Sequence, residues 1–167
     1  MRSTRDLTAQ DLQRVFRYDR ETGVLTRLRS GKAAGYMTTA GRFVVEPLPD
    51  TAAMSVGRVC WILHAGEVPL LRVVHLNGDQ RDNRFCNLRL GTASDSNAIA
   101  QPRSNNRSGF KGVHWQESRS RWVASIQRDG KKRQLGRYLT REEAHRAYIK
   151  AAGELHGEFA RLAGPEN

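Results

Sequence analysis

Two residues in the middle of the chain are of the types that general-base chemistry uses: an imidazole at His75 and a carboxamide at Asn87, twelve positions later. The stretch around them reads Val73-Val74-His75-Leu76-Asn77-Gly78-Asp79-Gln80-Arg81-Asp82-Asn83-Arg84-Phe85-Cys86-Asn87-Leu88-Arg89. His75 is expected to end a strand, Asn77-Gly78-Asp79 to form a tight turn, and Asn83 to Leu88 to bring the chain back. Such a hairpin holds imidazole and carboxamide together, one to take a proton and one to orient the ring. A lone histidine beside a turn is more often a satisfied structural residue, and residue types alone leave both readings open. A different chemistry gathers further on, where Lys, Arg, His and Gln recur along predicted strands: cations suit phosphates and guanine, and glutamine suits adenine.

These side chains need elements to position them. Leu7-Thr8-x-x-Asp11-Leu12-x-x-Val15-Phe16 suggests a short helix capped by Thr8, with Leu7, Leu12, Val15 and Phe16 facing inward. A turn at Tyr18-Asp19-x-Glu21-Thr22-Gly23 precedes expected strands at Val24–Leu28, Gly35–Thr38 and Arg42–Val45, and Met54 to Leu63 reads as a buried helix running to Gly66. After Phe110 the pattern becomes strands at 111–116, 121–127 and 131–138. The middle one places Trp122, Ala124 and Ile126 on one face and Arg121, Val123, Ser125 and Gln127 on the other, mostly polar, face. Asp129-Gly130 is a hairpin turn signal because that turn needs positive φ. Thr140-x-x-Glu143 forms a capping box, and Ala144, Ala147, Tyr148, Ala151 and Leu155 follow at helical spacing. The expected class is α+β, ending in a three-stranded antiparallel sheet covered on one side by a helix.

Charge separates the two regions. The 167 residues hold 28 Lys and Arg against 17 Asp and Glu, a net of +11. Residues 1–50 carry +3, residues 51–100 carry +1, residues 101–150 carry +9 and the last seventeen −2. A concentrated excess points to a docking face for an acidic partner rather than to solubility. The expected organisation is a module at 1–100, a polar basic linker at 101–109 whose Arg107 reaches phosphates, a module at 110–162 and a tail at 163–167. The longest apolar run, Val59 to Leu63, is far shorter than the roughly 20 residues of a bilayer span. The first ten residues lack an apolar h-region, so no Sec signal and a cytoplasmic location are expected. Cys60 and Cys86 form no Cys-x-x-Cys pair, excluding a four-cysteine zinc site, and both are read as buried thiols in a reducing compartment.

Ser108-Gly109-Phe110-Lys111-Gly112-Val113, Trp122-x-Ala124-x-Ile126, Leu135-Gly136-x-Tyr138-x-Thr140-x-Glu142-Glu143-Ala144-x-x-Ala147-Tyr148 and Gly157-Glu158-Phe159-Ala160-Arg161-Leu162 resemble the AP2/ERF DNA-binding domain. The resemblance implies a sheet lying in the major groove of double-stranded DNA with the helix packed behind it. It implicates Lys111, His114, Gln116, Ser125, Gln127, Lys132 and Gln134 as sheet-face contacts, and Arg107, Arg119 and Arg121 join them as basic candidates. Trp122 is read as packing rather than stacking on a base.

The His75 stretch, with Tyr18-Asp19-x-x-Thr22-Gly23 before it and Thr92-x-Ser94-x-x-Asn97 after it, resembles the HNH endonucleases of phages and group I intron homing elements. The resemblance implies a ββα-metal site with Mg²⁺ or Mn²⁺, His75 as base, Asn87 as the orienting residue and Asn97 as a candidate metal ligand. The ligand positions depart from the family: Val74 stands where an Asp or His precedes the base, Ser96 lies nine after Asn87, and Gly57-Arg58-x-x-Trp61 replaces His-Arg-x-x-Trp. The expected function is therefore a DNA-binding protein with a metal-impaired HNH site. The alternative is an active nicking or cutting enzyme. A monomer suits an asymmetric target, and no heptad seam argues for a dimer.

Overall fold

The computed structural model describes residues 7–102 and 104–160, in two compact units that divide at Gly91/Thr92. That break precedes the polar stretch at 101–109. The segment Arg161-Leu162 and the tail at 163–167 lie outside the described residues.

In the first unit, α1 (Ala9–Gln13) begins at Thr8, whose hydroxyl accepts from the Asp11 amide at 3.2 Å while Asp11 returns a carboxylate to the Thr8 amide at 3.0 Å. This reciprocal cap satisfies donors that a helix N-terminus otherwise leaves unpaired. Leu7, Leu12 and Phe16 point inward as expected. β1 (Phe16–Tyr18) and β2 (Leu25–Arg27) pair antiparallel, and a second small sheet joins β3 (Tyr36–Met37), β4 (Phe43–Val45) and β5 (Met54–Ser55). The expected helix at Met54 starts two residues later: Met54 and Ser55 pair with β4, and α2 (Val56–Ala65) follows, ending at Gly66 in the left-handed conformation. Val59, Cys60 and Ile62 on α2 are fully buried against Leu12 and Leu88. Each aliphatic side chain so removed from water contributes about 1.5–3 kcal/mol. β6 (Arg72–His75) and β7 (Leu88–Gly91) form the hairpin expected around His75, with His75 opposite Leu88.

The second unit opens with α3 (Ala93–Ile99), capped reciprocally by Thr92 and Asp95. β8 (Val113–Gln116), β9 (Arg121–Arg128) and β10 (Lys131–Tyr138) form an antiparallel sheet in the order β10-β9-β8, and α4 (Arg141–His156) packs across one face. Val113, Ala124 and Ile126 meet Ala144, Tyr148, Ala151 and Ala152 of α4 in the core. The turn at Asp129-Gly130 takes positive φ at both residues, 49° and 79°, as a type I′ hairpin requires.

The outward face departs from simple alternation in two places. The pairing of β10 with β9 shifts register between Gln134 and Gly136, and the bulge at Leu135 leaves Arg137, not Gly136, opposite Val123 in the outer row. The Arg137 guanidinium then reaches across β9 and donates to Gln116 on β8 at 3.0 Å. Val123, paired with Arg137 on one side and His114 on the other, is 3% exposed although it belongs to the face expected to be polar. No helix among the described residues is long and apolar enough to cross a membrane.

Candidate functional site

His75 ends β6, and the loop after it is tied to itself by short polar side chains. Asn77 accepts from the Asp79 amide at 2.9 Å and Asp79 from the Arg81 amide at 2.9 Å, which curls the chain at Gly78. Asp82 accepts two bonds from the Arg84 guanidinium, at 2.8 and 2.7 Å, one from the Arg84 amide at 3.3 Å and one from Asn77. The Arg84 guanidinium holds the Asp82 carboxyl at about 2. Phe85 anchors the far end of the loop on α2, its ring 5.2 Å from Trp61 and 3.7 Å from His64.

The carboxamide on the imidazole belongs to Asn83, not Asn87. Asn83 Oδ1 lies 2.9 Å from His75 Nε2, and Asn83 is 1% exposed. Asn87, also buried, turns into the loop: its amide donates to Asn77 Oδ1 at 3.0 Å and to the Asp82 carbonyl at 2.7 Å, and its oxygen accepts from the Asn77 amide. The expected hairpin thus brings a carboxamide to the ring, but Asn87 spends its bonds bracing the loop. Asn83 carried a signal in its place on the return limb of the turn, which the sequence spacing did not single out. Burial lowers the His75 pKa, against the opposing effects of the Asn83 bond and of Asp79 and Asp82. The ring is therefore neutral near pH 7.

The ring also rests on α2. A methyl group added at Gly57 would stand 2.8 Å from His75 Cε1 and 3.0 Å from Nε2, closer than carbon side chains approach. Where the related HNH pattern has a histidine, this chain keeps the space open for the imidazole of His75.

Hard divalent cations need several oxygen or imidazole donors. Val74 is apolar and 6% exposed, the Asp82 carboxylate is taken by Arg84, and among the described residues no three His, Cys, Asp or Glu side chains converge. The donors around His75 do not fit such an ion. Asn97 lies on α3 in the second unit, where its backbone carbonyl accepts from Lys111. Cys86, expected to be buried, is exposed, because its 3₁₀ turn directs Phe85 and Asn87 inward instead; Cys60 is buried as expected.

The sheet of the second unit presents the other group of residues. His114, Arg121, Gln127, Lys132 and Gln134 are exposed, with Gln116 and Ser125 half-buried, and the register puts them in rows: Gln116 beside Arg121, Ser125 beside Gln134, Gln127 beside Lys132. Arg137 completes the His114–Val123 row and was missed, since strict alternation without a bulge turns it inward. No aspartate or glutamate stands among these eight polar positions. Arg107 and Arg119 are exposed away from the strands. Lys111 points elsewhere: its ammonium donates to the carbonyls of Asn97, Ala98 and Ala100 at the end of α3. Trp122 packs with the core and meets Trp115 edge-on at 5.2 Å, which agrees with a packing role.

Family models match both regions. Residues 56–98 match an HNH endonuclease domain and residues 108–158 an AP2 domain. The two matches together support a DNA-binding, nuclease-like protein; the HNH match runs from the first residue of α2 into α3, and the AP2 match takes in the whole sheet and α4. Divalent metals are typical of HNH nucleases. Comparison with curated proteins and with solved structures returned no match.

Proposed function

We propose that the protein binds duplex DNA by laying the outward face of the β8–β10 sheet in the major groove, and that its HNH module is impaired in hydrolysis. The row pattern of that face carries the reading. Three strands about 4.8 Å apart make a surface roughly 10 Å across, narrower than a major groove about 12 Å wide. Lys132, Arg121 and Arg137 supply cations for phosphates or guanine, and Gln127, Gln134 and Gln116 supply carboxamides for base edges. The +9 charge of residues 101–150 favours the phosphate backbone as partner.

Impairment is supported by the donors around His75. Metal-assisted hydrolysis needs an ion to offset charge developing on the phosphate and leaving oxygen, and Val74 cannot ligate one. A second reading, an active nickase, is favoured by one observation: the His75 ring is held by a buried carboxamide at 2.9 Å, as a positioned base requires.

Supercoiled plasmid carrying a selected binding site separates them. Incubated with wild-type protein and with His75→Ala in Mg²⁺ and in Mn²⁺, the expected result is site binding without nicking by either. Nicking by wild type that disappears in His75→Ala overturns the impaired reading, and no binding to any duplex overturns the DNA-binding one.

A further inference from the structure

We infer that Asn83 is the positioning residue of His75: it fixes the neutral ring as the Nε2–H tautomer, leaves the basic lone pair at Nδ1, and is itself held by the Tyr18–Gly23 turn. The inference rests on the HNH assignment of His75 and holds whether or not the chain hydrolyses DNA.

The orientation of the Asn83 carboxamide is decided by its other contacts. Its Nδ2 donates to the Arg81 carbonyl at 3.1 Å and reaches the Gln80 carbonyl at 3.4 Å. Carbonyl oxygens only accept, so the nitrogen end of the amide must face them and the oxygen end must face the imidazole. Oδ1 also only accepts, so His75 Nε2 is the donor in the 2.9 Å contact. In a neutral imidazole the other nitrogen then carries the free lone pair. Inverting the amide would set two acceptor-facing pairs wrong inside a site where Asn83 is 1% exposed, and buried unmade bonds cost about 1–3 kcal/mol each.

Asn83 is immobilised from the N-terminal side of the unit. The Tyr18 hydroxyl donates to the Asn83 carbonyl at 2.6 Å, and the Phe85 amide donates to the Arg20 carbonyl at 3.0 Å. Burial raises the phenol pKa well above its ordinary range, so Tyr18 remains a donor. The turn that carries it is closed by Asp19, which accepts from the Glu21 and Thr22 amides at 2.9 and 3.2 Å. Gly23, at φ 75°, lets the turn come so close that a Cβ there would sit 2.5 Å from the Arg84 nitrogen and 2.7 Å from the Asn83 carbonyl carbon. The Tyr-Asp-x-x-Thr-Gly motif thereby sets the backbone from which Asn83 reaches the ring. On the opposite side Gly57 supplies the floor.

Imidazole ¹⁵N spectra of the full chain labelled at histidine test this directly. The expected wild-type pattern at neutral pH is a protonated Nε2 and an unprotonated Nδ1 for His75. Asn83→Ala is expected to give a mixture of tautomers, and Tyr18→Phe a smaller shift in the same direction. A wild-type ring protonated on Nδ1 overturns the inference with no variant needed. So does an Asn83→Ala protein, folded by its amide spectrum, whose His75 ring keeps the wild-type pattern. Because the readout is the ring and not strand cleavage, an inactive protein with the expected tautomer leaves the inference standing while settling the hydrolysis question separately.

Discussion

Lys111 closes the last turn of α3, donating at 2.7 Å to the carbonyl of Ala98 and at 2.7 Å to that of Ala100. The end of a helix concentrates unpaired carbonyls and partial negative charge, so an ammonium there is doubly favourable. Lys111→Met, which keeps the stem and removes the charge, is expected to destabilise the AP2 unit by about 1.5–3 kcal/mol. The slope of DNA affinity against salt should stay at the wild-type value. Urea unfolding and filter binding at several salt concentrations check both; a flattened slope with unchanged stability would return Lys111 to the DNA face.

Lys132 and Arg137 should behave in the opposite way. Lys132→Ala is expected to lower affinity for all duplexes and to reduce the salt slope by about one, with little change in stability. Arg137→Ala should weaken binding and also uncover Val123, so a modest loss of stability accompanies it. Gln127→Ala and Gln134→Ala should instead relax base preference, at about 1–3 kcal/mol for each lost bidentate contact. Equal affinity across all four variants would mean that another surface carries the DNA.

Gly57→Ala adds one carbon where the imidazole of His75 lies. Alanine gains up to about 1 kcal/mol of helix propensity over glycine, while overpacking a filled site costs about 1–3 kcal/mol. The contacts of 2.8 and 3.0 Å are too short for the ring to stay in place, so the net effect should be destabilising, with the His75 ring resonances displaced. An equally stable variant with unmoved resonances would show that the ring does not rest on α2.

Stability should fall with acid in a defined window. Burial holds His75, His145 and His156 below the ordinary value of 6.5. Once unfolded, these rings take up protons that the folded chain refuses. Their contribution is complete above about pH 6.5 and is lost as pH falls toward their folded values. Asp82, held near 2 by Arg84, adds a second loss below 3.8. The urea midpoint is expected to drop as pH falls from about 7 to below about 6.5. A flat midpoint across that interval would mean the three rings are as easily protonated folded as unfolded.

Much of the architecture was legible because it follows from local rules. The reciprocal caps at Thr8 and Thr140, the Asp129-Gly130 turn and the β6–β7 hairpin each depend on residues within a few positions of one another. Motif spacing was equally informative about the two families, since both matches fall on the quoted stretches. Register was less accessible. One extra residue at Leu135 reverses the faces of everything after it, and alternation cannot announce where a strand will bulge.

Residue types and spacing alone placed His75 at the end of a strand before a polar loop, a basic sheet late in the chain, and no carboxylate before the imidazole. Which carboxamide reaches the ring, where the Lys111 ammonium goes and how Arg137 comes to face outward were decided by packing. Tyr18 and Asn83 are 65 positions apart, and Lys111 and Ala98 are 13 apart. Bonds over such distances depend on where whole elements come to rest, and only the folded chain selects among the many partners that a side chain of given chemistry would accept.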